Sequence, residues 1–332
     1  MLSHESLEPG IASVLKAWRI EAPERVAIVP GGTLNWNFDV QSAGSRFFLR
    51  CYRSNLETER IVGEHRLVEW VGAEGIPVAA PIPTLDGHSL LREGDNRWAL
   101  VPWLDGACIE RGRLSSLQAR ALGEMHGRVQ SVLARHPDSA TAGLSMRWQK
   151  QQSLAALERL VVVGNERRIA QWIIDGIERQ RRLLVSTEVA PPEHFASLPC
   201  QLLHGDFHDQ QALFAGDEVC AVVDWEIWHN DPRAWELIRS LAFSQLLDSP
   251  LLVDYLGGYR EHIQPSEAEL QLALTLWFQS RVVGLWAWWA YVMEGNERVK
   301  DFFPSMLVEL ELVTDARWTA SVRERVIKAA CS

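Results

Sequence analysis

The feature that most limits how this chain can fold is a shift near residue 104 from mostly strand-like alternation to mostly helical spacing. Before it, β-rich runs at 26–29, 35–40 and 46–52, separated by Gly-Gly and Ser-Ala-Gly-Ser, predict an antiparallel meander. An amphipathic helix at 11–18 precedes the meander. A second helix at 58–73 follows it and is closed by Gly75 and the stretch IPVAAPIP, which cannot continue a helix. Runs at 88–92 and 97–103 predict a further hairpin. Beyond Leu-Asp-Gly-Ala at 104–107, helices are expected at 114–135, 147–160, 165–186, 232–247, 251–262, 266–293 and 304–328, with one hairpin near 212–223. The expectation is an α+β molecule with a small antiparallel lobe at 1–103 and a large, mostly helical lobe at 104–332.

Hydrophobic residues make up 47% of the 332 positions, which excludes a disordered chain and is enough for two lobes around a cleft. The formal net charge is −10, and the chain is basic neither before nor after residue 106, so a phosphate-gripping nucleic-acid surface is not expected. The five cysteines include no C-x-x-C pair, which argues against a disulfide framework or zinc site and for a reducing, cytoplasmic setting. The first ten residues lack the cationic start and apolar run of an export signal. The apolar stretch at 270–293 carries Gln279 and Arg281 near its middle, which points to a buried helix rather than a membrane span.

The densest polar segment runs from His204 through Gly205, Asp206, His208, Asp209, Gln210 and Gln211 into a strand–turn–strand unit. The returning strand, Val219 to Val223, is apolar and ends on Asp224-Trp225-Glu226, so antiparallel pairing brings Asp224 back to the end where Gln211 and Asp206 lie. Two carboxylates and an amide at the end of a buried hairpin suit a hard cation and a general base, because magnesium prefers oxygen ligands and keeps water. The alternative is a set of solvent-facing loop carboxylates.

These residues resemble the signature of the aminoglycoside phosphotransferase and choline/homoserine kinase superfamily, which has a protein-kinase-like fold. Its H-G-D-x-x-x-x-N followed by a strand ending in Asp is matched by His204-Gly205-Asp206 and by Val222-Val223-Asp224, with Gln211 in place of the final Asn. The resemblance implies that Asp206 accepts or orients the proton of a substrate hydroxyl, and that Gln211 and Asp224 hold magnesium against the phosphates of ATP. His204 braces the loop in this reading. His208 contacts phosphate or acceptor, or serves neither.

A kinase-like fold also implies a cation on the third strand, and no lysine occurs between Lys16 and Lys150. Arg50 is the candidate, with Glu64 as its helical partner because it falls on the apolar face marked by Ile61, Val68 and Val71. Glu64 could otherwise lie at the edge of that stripe, in water. Gly32, Thr33 and Asn35 would form the loop over the phosphates, and the same residues also read as an ordinary turn. Pro102 and Leu104 would present a backbone carbonyl and N–H to adenine. Asp231-Pro232 reads first as an N-cap and first helical residue.

On the helix expected at 266–293, Trp277, Arg281, Gly284, Trp288 and Tyr291 fall on one face, which is either a wall of the acceptor pocket or core with Arg281 neutralised by a buried carboxylate. Segments 257–260 and 265–270 resemble homoserine-kinase-like members. The reading that results is an ATP- and magnesium-dependent phosphotransferase acting on a small-molecule hydroxyl: an aminoglycoside, an amino alcohol or a homoserine-like compound. Its alternatives are a nucleotide-binding pseudokinase, motivated by Arg50 and Gln211, and a protein Ser/Thr kinase. No G-x-x-x-x-G-K-[ST], G-x-S-x-G or H-E-x-x-H occurs, which excludes a P-loop kinase and common hydrolase or metalloprotease readings.

Overall fold

The computed structural model describes residues 4–30, 35–53, 56–141, 143–146 and 148–331. The first elements are α1 (His4–Leu15), β1 (Arg25–Ile28), β2 (Trp36–Ser42), β3 (Ser45–Tyr52), α2 (Thr58–Ala73), β4 (Leu91–Glu93) and β5 (Asn96–Pro102). Then come α3 (Ser116–Leu133), α4 (Lys150–Glu166), α5 (Gln171–Ser186), β6 (Cys200–Leu203), β7 (Ala212–Ala215), β8 (Glu218–Val222) and β9 (His229–Pro232). The chain ends with α6 (Arg233–Phe243), α7 (Leu252–Tyr259), α8 (Glu267–Val283), α9 (Trp286–Val292), α10 (Phe303–Thr314) and α11 (Ala316–Cys331). Two compact units result: Met1–Cys108 with Gln211–Ile227, and Ile109–Gln210 with Trp228–Ser332.

In the first unit, β1-β2-β3-β5-β4 form an antiparallel sheet. The period of two in β3 sorts its residues. Leu49 and Cys51 turn to one face and pack with Phe38, Trp98 and the α1 residues Val14 and Leu15. Phe48, Arg50 and Tyr52 take the other face, and Tyr52 packs against Ile61 of α2. The β7–β8 hairpin is tied to this unit by a bridge between Ala107 and Phe214 and by the Val222 N–H, which donates to the Pro77 carbonyl at 2.8 Å.

In the second unit, α3 and α7 come so close that a Cβ at Gly123 or Gly258 would overlap the Tyr255 or Arg120 carbonyl. Only glycine permits that approach. It lets Tyr255 and Tyr259 of α7 reach the α3 residues His126 and Gln130, at 2.7 and 2.6 Å.

Three sequence expectations are corrected here. The helix foreseen at 266–293 is two, because at Gly284 the backbone turns extended (φ −69°, ψ 133°). The buried Gln180 amide of α5 donates to the carbonyls of Val282 and Gly284 at 2.9 and 2.8 Å, satisfying groups that the break releases. The helix foreseen at 304–328 is also two: Asp315 interrupts it and its carboxylate accepts from the Arg317 and Trp318 N–H groups, starting α11. Asp231 does not cap α6. It lies in β9, fully buried, and accepts from the Ser145 N–H and hydroxyl at 2.8 and 2.6 Å, while the helix begins one residue beyond Pro232. Among the described residues no helix is long and apolar enough to cross a membrane.

Candidate active site

The first unit contains a cavity of about 350 Å³ with apolar walls, including Val68, Val101, Leu213 and Val222, that ends on Arg50, Glu64, Gln211 and Asp224. Each polar group is placed by a local rule. Strand alternation puts Arg50 between Phe48 and Tyr52, whose ring centroids lie 5.7 and 5.8 Å from its guanidinium carbon. Helical spacing puts Glu64 on the buried face of α2 with Ile61, Val68 and Val71. Hairpin register pairs Ala212 with Val222, and the Val223 N–H donates to the Gln211 carbonyl at 2.9 Å. Gln211 and Asp224 therefore share one end of the hairpin.

Asp224 has φ +64°, a left-handed backbone rare outside glycine and tolerated by Asp, which turns its side chain out of the strand direction. Its Oδ1 lies 3.3 Å from Arg50 Nη1, and its Oδ2 lies 3.5 Å from Gln211 Nε2. Glu64 Oε1 is 3.8 Å from the same Arg50 nitrogen. Burial pushes the Glu64 carboxyl up to about 8, against the opposing charge of Arg50. Burial alone would lower the Arg50 pKa, yet Asp224, with Tyr52 and Glu64, outweighs it and raises it. Arg50 thus leans toward Asp224.

Pro102 and Leu104 line the same cavity. Pro102 pairs with Phe47 at the end of β5, and the Trp103 N–H donates to the Arg46 carbonyl at 3.1 Å, which fixes the strand's exit. Gly32 and Thr33 lie outside the described residues. Asn35 is buried, and its amide donates to Glu226 while its oxygen accepts the Arg53 N–H at 3.0 Å. Asn37, which sequence reasoning missed, lines the cavity instead and accepts from Arg50 Nε at 3.3 Å. Strand register shows why: Asn37 sits opposite Arg50.

The second unit carries Asp206 on the loop after β6. Gly205 takes φ +91°, and its N–H donates to Glu236 Oε1 at 2.6 Å. The His204 ring, fully buried, accepts the Asp206 N–H at 3.2 Å. The Asp206 carboxylate forms an ion pair with Arg239, and His208 Nε2 lies 3.5 Å from Asp206 Oδ1. Neither Glu236 nor Arg239 was foreseen. The only sequence signal was a charge at two positions of α6 among Leu237, Ile238 and Leu241.

Glu236 is fully buried. Burial acts to raise its pKa, but the hydrogen bond and charge of His126, with His204 and Gln130, bring the carboxyl down to about 2. It therefore stays a charged acceptor for the Gly205 N–H.

Arg281 does not share a helix face with Trp288, since the chain breaks at Gly284 between them. Arg281 pairs with Glu309 of α10 at 2.7 Å. Trp288 is core: it is fully buried, and its indole N–H donates to Gln180 Oε1 at 2.7 Å. Trp277 is buried beside Arg281, whose guanidinium carbon lies 5.1 Å from its ring centroid.

A family model described as "Phosphotransferase enzyme family" matches residues 25–272, which span both the Arg50 cavity and the Asp206 loop. The chain belongs to this family. Relatives named homoserine kinase include one from Rhizobium etli, 23% identical over 62% of this chain, and one from Agrobacterium fabrum, 22% identical over 72% of it. The match spans 60% of the length of the Rhizobium etli relative and 72% of the other. Among solved structures, a microcompartment-associated aminopropanol kinase superimposes with a TM-score of 0.67 at 16% identity, covering 96% of this chain and 99% of that one. An amicoumacin kinase solved with AMP-PNP, Ca2+ and Ami gives 0.62 at 14% identity, covering 93% and 96%. The family member described here thus has the α+β, protein-kinase-like fold of those kinases.

Proposed function

We propose that this phosphotransferase-family chain uses ATP and magnesium to phosphorylate a hydroxyl of a small molecule. The observation that carries this is the cavity of the first unit, an apolar slot ending on Arg50, Glu64, Gln211 and Asp224, within the 300–1,000 Å³ common for ligand sites. Adenine would lie along Val101–Leu104, with its polar edge toward the backbone of Pro102 and Leu104. Arg50 would grip phosphate oxygens, its fork suited to bidentate contact.

Asp224 and Gln211 offer one carboxylate and one amide oxygen, a hard-donor set of the kind magnesium accepts when phosphates and water complete its shell. The Gln211 amide lies beside Asp224, its Nε2 3.5 Å from Asp224 Oδ2, and a turn of the amide would present its oxygen to an ion held by that carboxylate. When bound, the ion neutralises phosphate charge.

Asp206 orients the acceptor hydroxyl and takes its proton. Arg239 holds that carboxylate in place, and the bond from Gly205 to Glu236 fixes the loop. The loose transition state of phosphoryl transfer makes such positioning the main protein contribution. Homoserine and amino alcohols are acceptors to try first, because the curated relatives and a structural neighbour carry those names.

Release of ADP from magnesium-ATP, measured with a panel of hydroxyl compounds, tests the proposal. D206N should lower turnover by about 10²–10⁴-fold while ATP affinity stays within twofold, because the base acts on the acceptor. Nucleotide binding without transfer to any acceptor would favour a pseudokinase, and an equal loss of ATP affinity in D206N would remove Asp206 from the acceptor role.

A further inference from the structure

The second unit has its own cavity of about 540 Å³. Its walls gather four of the large apolar side chains that this protein leaves exposed: Trp286 (51%), Phe302 (37%), Val308 (59%) and Leu312 (37%). Exposed apolar groups scattered singly need no explanation, but convergence on one concavity marks a binding surface. Trp286 and Phe302 stand edge to face with centroids 5.7 Å apart, forming an aromatic rim.

The cavity adjoins the Asp206 loop through one ring. Phe243 lines it, the His208 ring stacks on Phe243 at 5.5 Å, and the guanidinium of Arg239, the Asp206 partner, lies 4.4 Å from the same ring centroid. On the cavity side Arg281 is 5.7 Å from Phe243 and is paired with Glu309 at 2.7 Å. The carboxylates in the wall are matched, while Arg111 adds a further cation to it. Arg281 faces Glu309, and Asp248 is engaged by the Trp318 indole at 2.8 Å and by Arg325. A polycation would find no uncompensated carboxylate here. A compact amino acid would leave most of the apolar wall wet.

We propose that this cavity takes an acceptor alcohol with a ring-bearing, largely apolar body and at most one net charge, larger than homoserine and unlike a polyamine sugar. This rests on the phosphotransferase reading and deepens it. The aromatic rim holds the body, and the Arg281–Glu309 pair, partly exposed at 18% and 26%, supplies a polar anchor in the wall. A single carboxylate on the acceptor would share Arg281 with Glu309, adding a charge-assisted contact.

The test compares N-benzoylhomoserine, homoserine and kanamycin. Binding is followed by calorimetry without nucleotide, and transfer by ADP release with magnesium-ATP. N-benzoylhomoserine should bind at least tenfold more tightly than homoserine, and kanamycin least. The double substitution W286A/F302A removes two exposed rings without opening the core, and should weaken N-benzoylhomoserine at least tenfold at an unchanged melting temperature. Tighter binding of homoserine or kanamycin, or equal N-benzoylhomoserine affinity in the variant, overturns the inference and leaves the kinase proposal standing. A variant that changes from oligomer to monomer would assign the rings to a second copy of the chain and also overturn it. Tight, ring-dependent binding without ADP release supports the cavity's chemistry and counts against the kinase proposal alone.

Discussion

Arg50 stands between two carboxylates of unequal character, and its behaviour follows from which one it serves. Asp224 is nearer, at 3.3 Å against 3.8 Å for Glu64, and is 39% exposed, whereas Glu64 is buried with its carboxyl pushed up to about 8. R50A removes the only cation within ion-pair distance of Glu64 among the described residues. It should cost about 2–3 kcal/mol, less than the 3–5 kcal/mol of a fully buried pair because Glu64 can take up a proton. Thermal unfolding and ATP titration should show a lower melting temperature and an apparent KM for ATP raised at least tenfold. In R50A/E64Q the melting temperature should recover while the KM does not. A melting temperature unchanged in R50A would mean that Asp224 alone engages the guanidinium. The resemblance to a kinase-like fold pointed to Arg50 and Glu64, and strand and helix periodicity fixed the face that each takes. Arg239 was not legible: its partner Asp206 lies beyond a hairpin and a further strand, where no local period links them.

Elements here are positioned by close backbone approach and by buried amides as much as by apolar faces. The α3–α7 contact shows this, since the Cβ added by G123A would overlap the Tyr255 carbonyl. Overpacking of a rigid backbone costs about 1–3 kcal/mol or more, so G123A should lower the urea midpoint accordingly. Gly10 of α1 has nothing within 4 Å of an added Cβ, and G10A should be neutral or stabilising by about 0.5–1 kcal/mol, the usual helix preference for alanine. Equal effects of the two would show that α3 and α7 part readily. The broken helix at Gly284 was hidden from periodicity for a related reason. Hydropathy on either side continues unbroken, and the partner that makes the break tolerable is Gln180, more than 100 positions earlier in the chain. At Asp315 the apolar pattern likewise runs on through the break, although Asp is a residue type that favours an N-cap.

At the scale of the molecule, the shift of period near residue 104 conveyed the α+β class, though not that residues 211–227 belong with the first unit, and the hairpin register conveyed that Gln211 and Asp224 share one end. What it could not convey is the buried polar network of the second unit, where His126 and Gln130 of α3, Glu236 and Ser240 of α6, and Tyr255 and Tyr259 of α7 bond to one another. Such a network needs three helices in place before any member gains a partner. Glu236 is its charged centre, brought from 4.5 to about 2 by His126, His204 and Gln130 in spite of burial. A carboxyl depressed in the folded state contributes stability that is complete above its unfolded value near 4.5. That contribution fades as pH falls toward about 2. Its size for this shift is about 3 kcal/mol. Between pH 5 and pH 2 the wild type should therefore lose stability more steeply than E236Q, which has no proton to take up at that position. At pH 7, E236Q should be the less stable of the two, because its amide presents a donor where the network supplies donors already. Chemical denaturation across that pH range reads both effects, and parallel curves for the two proteins would show that Glu236 is not ionised in the fold.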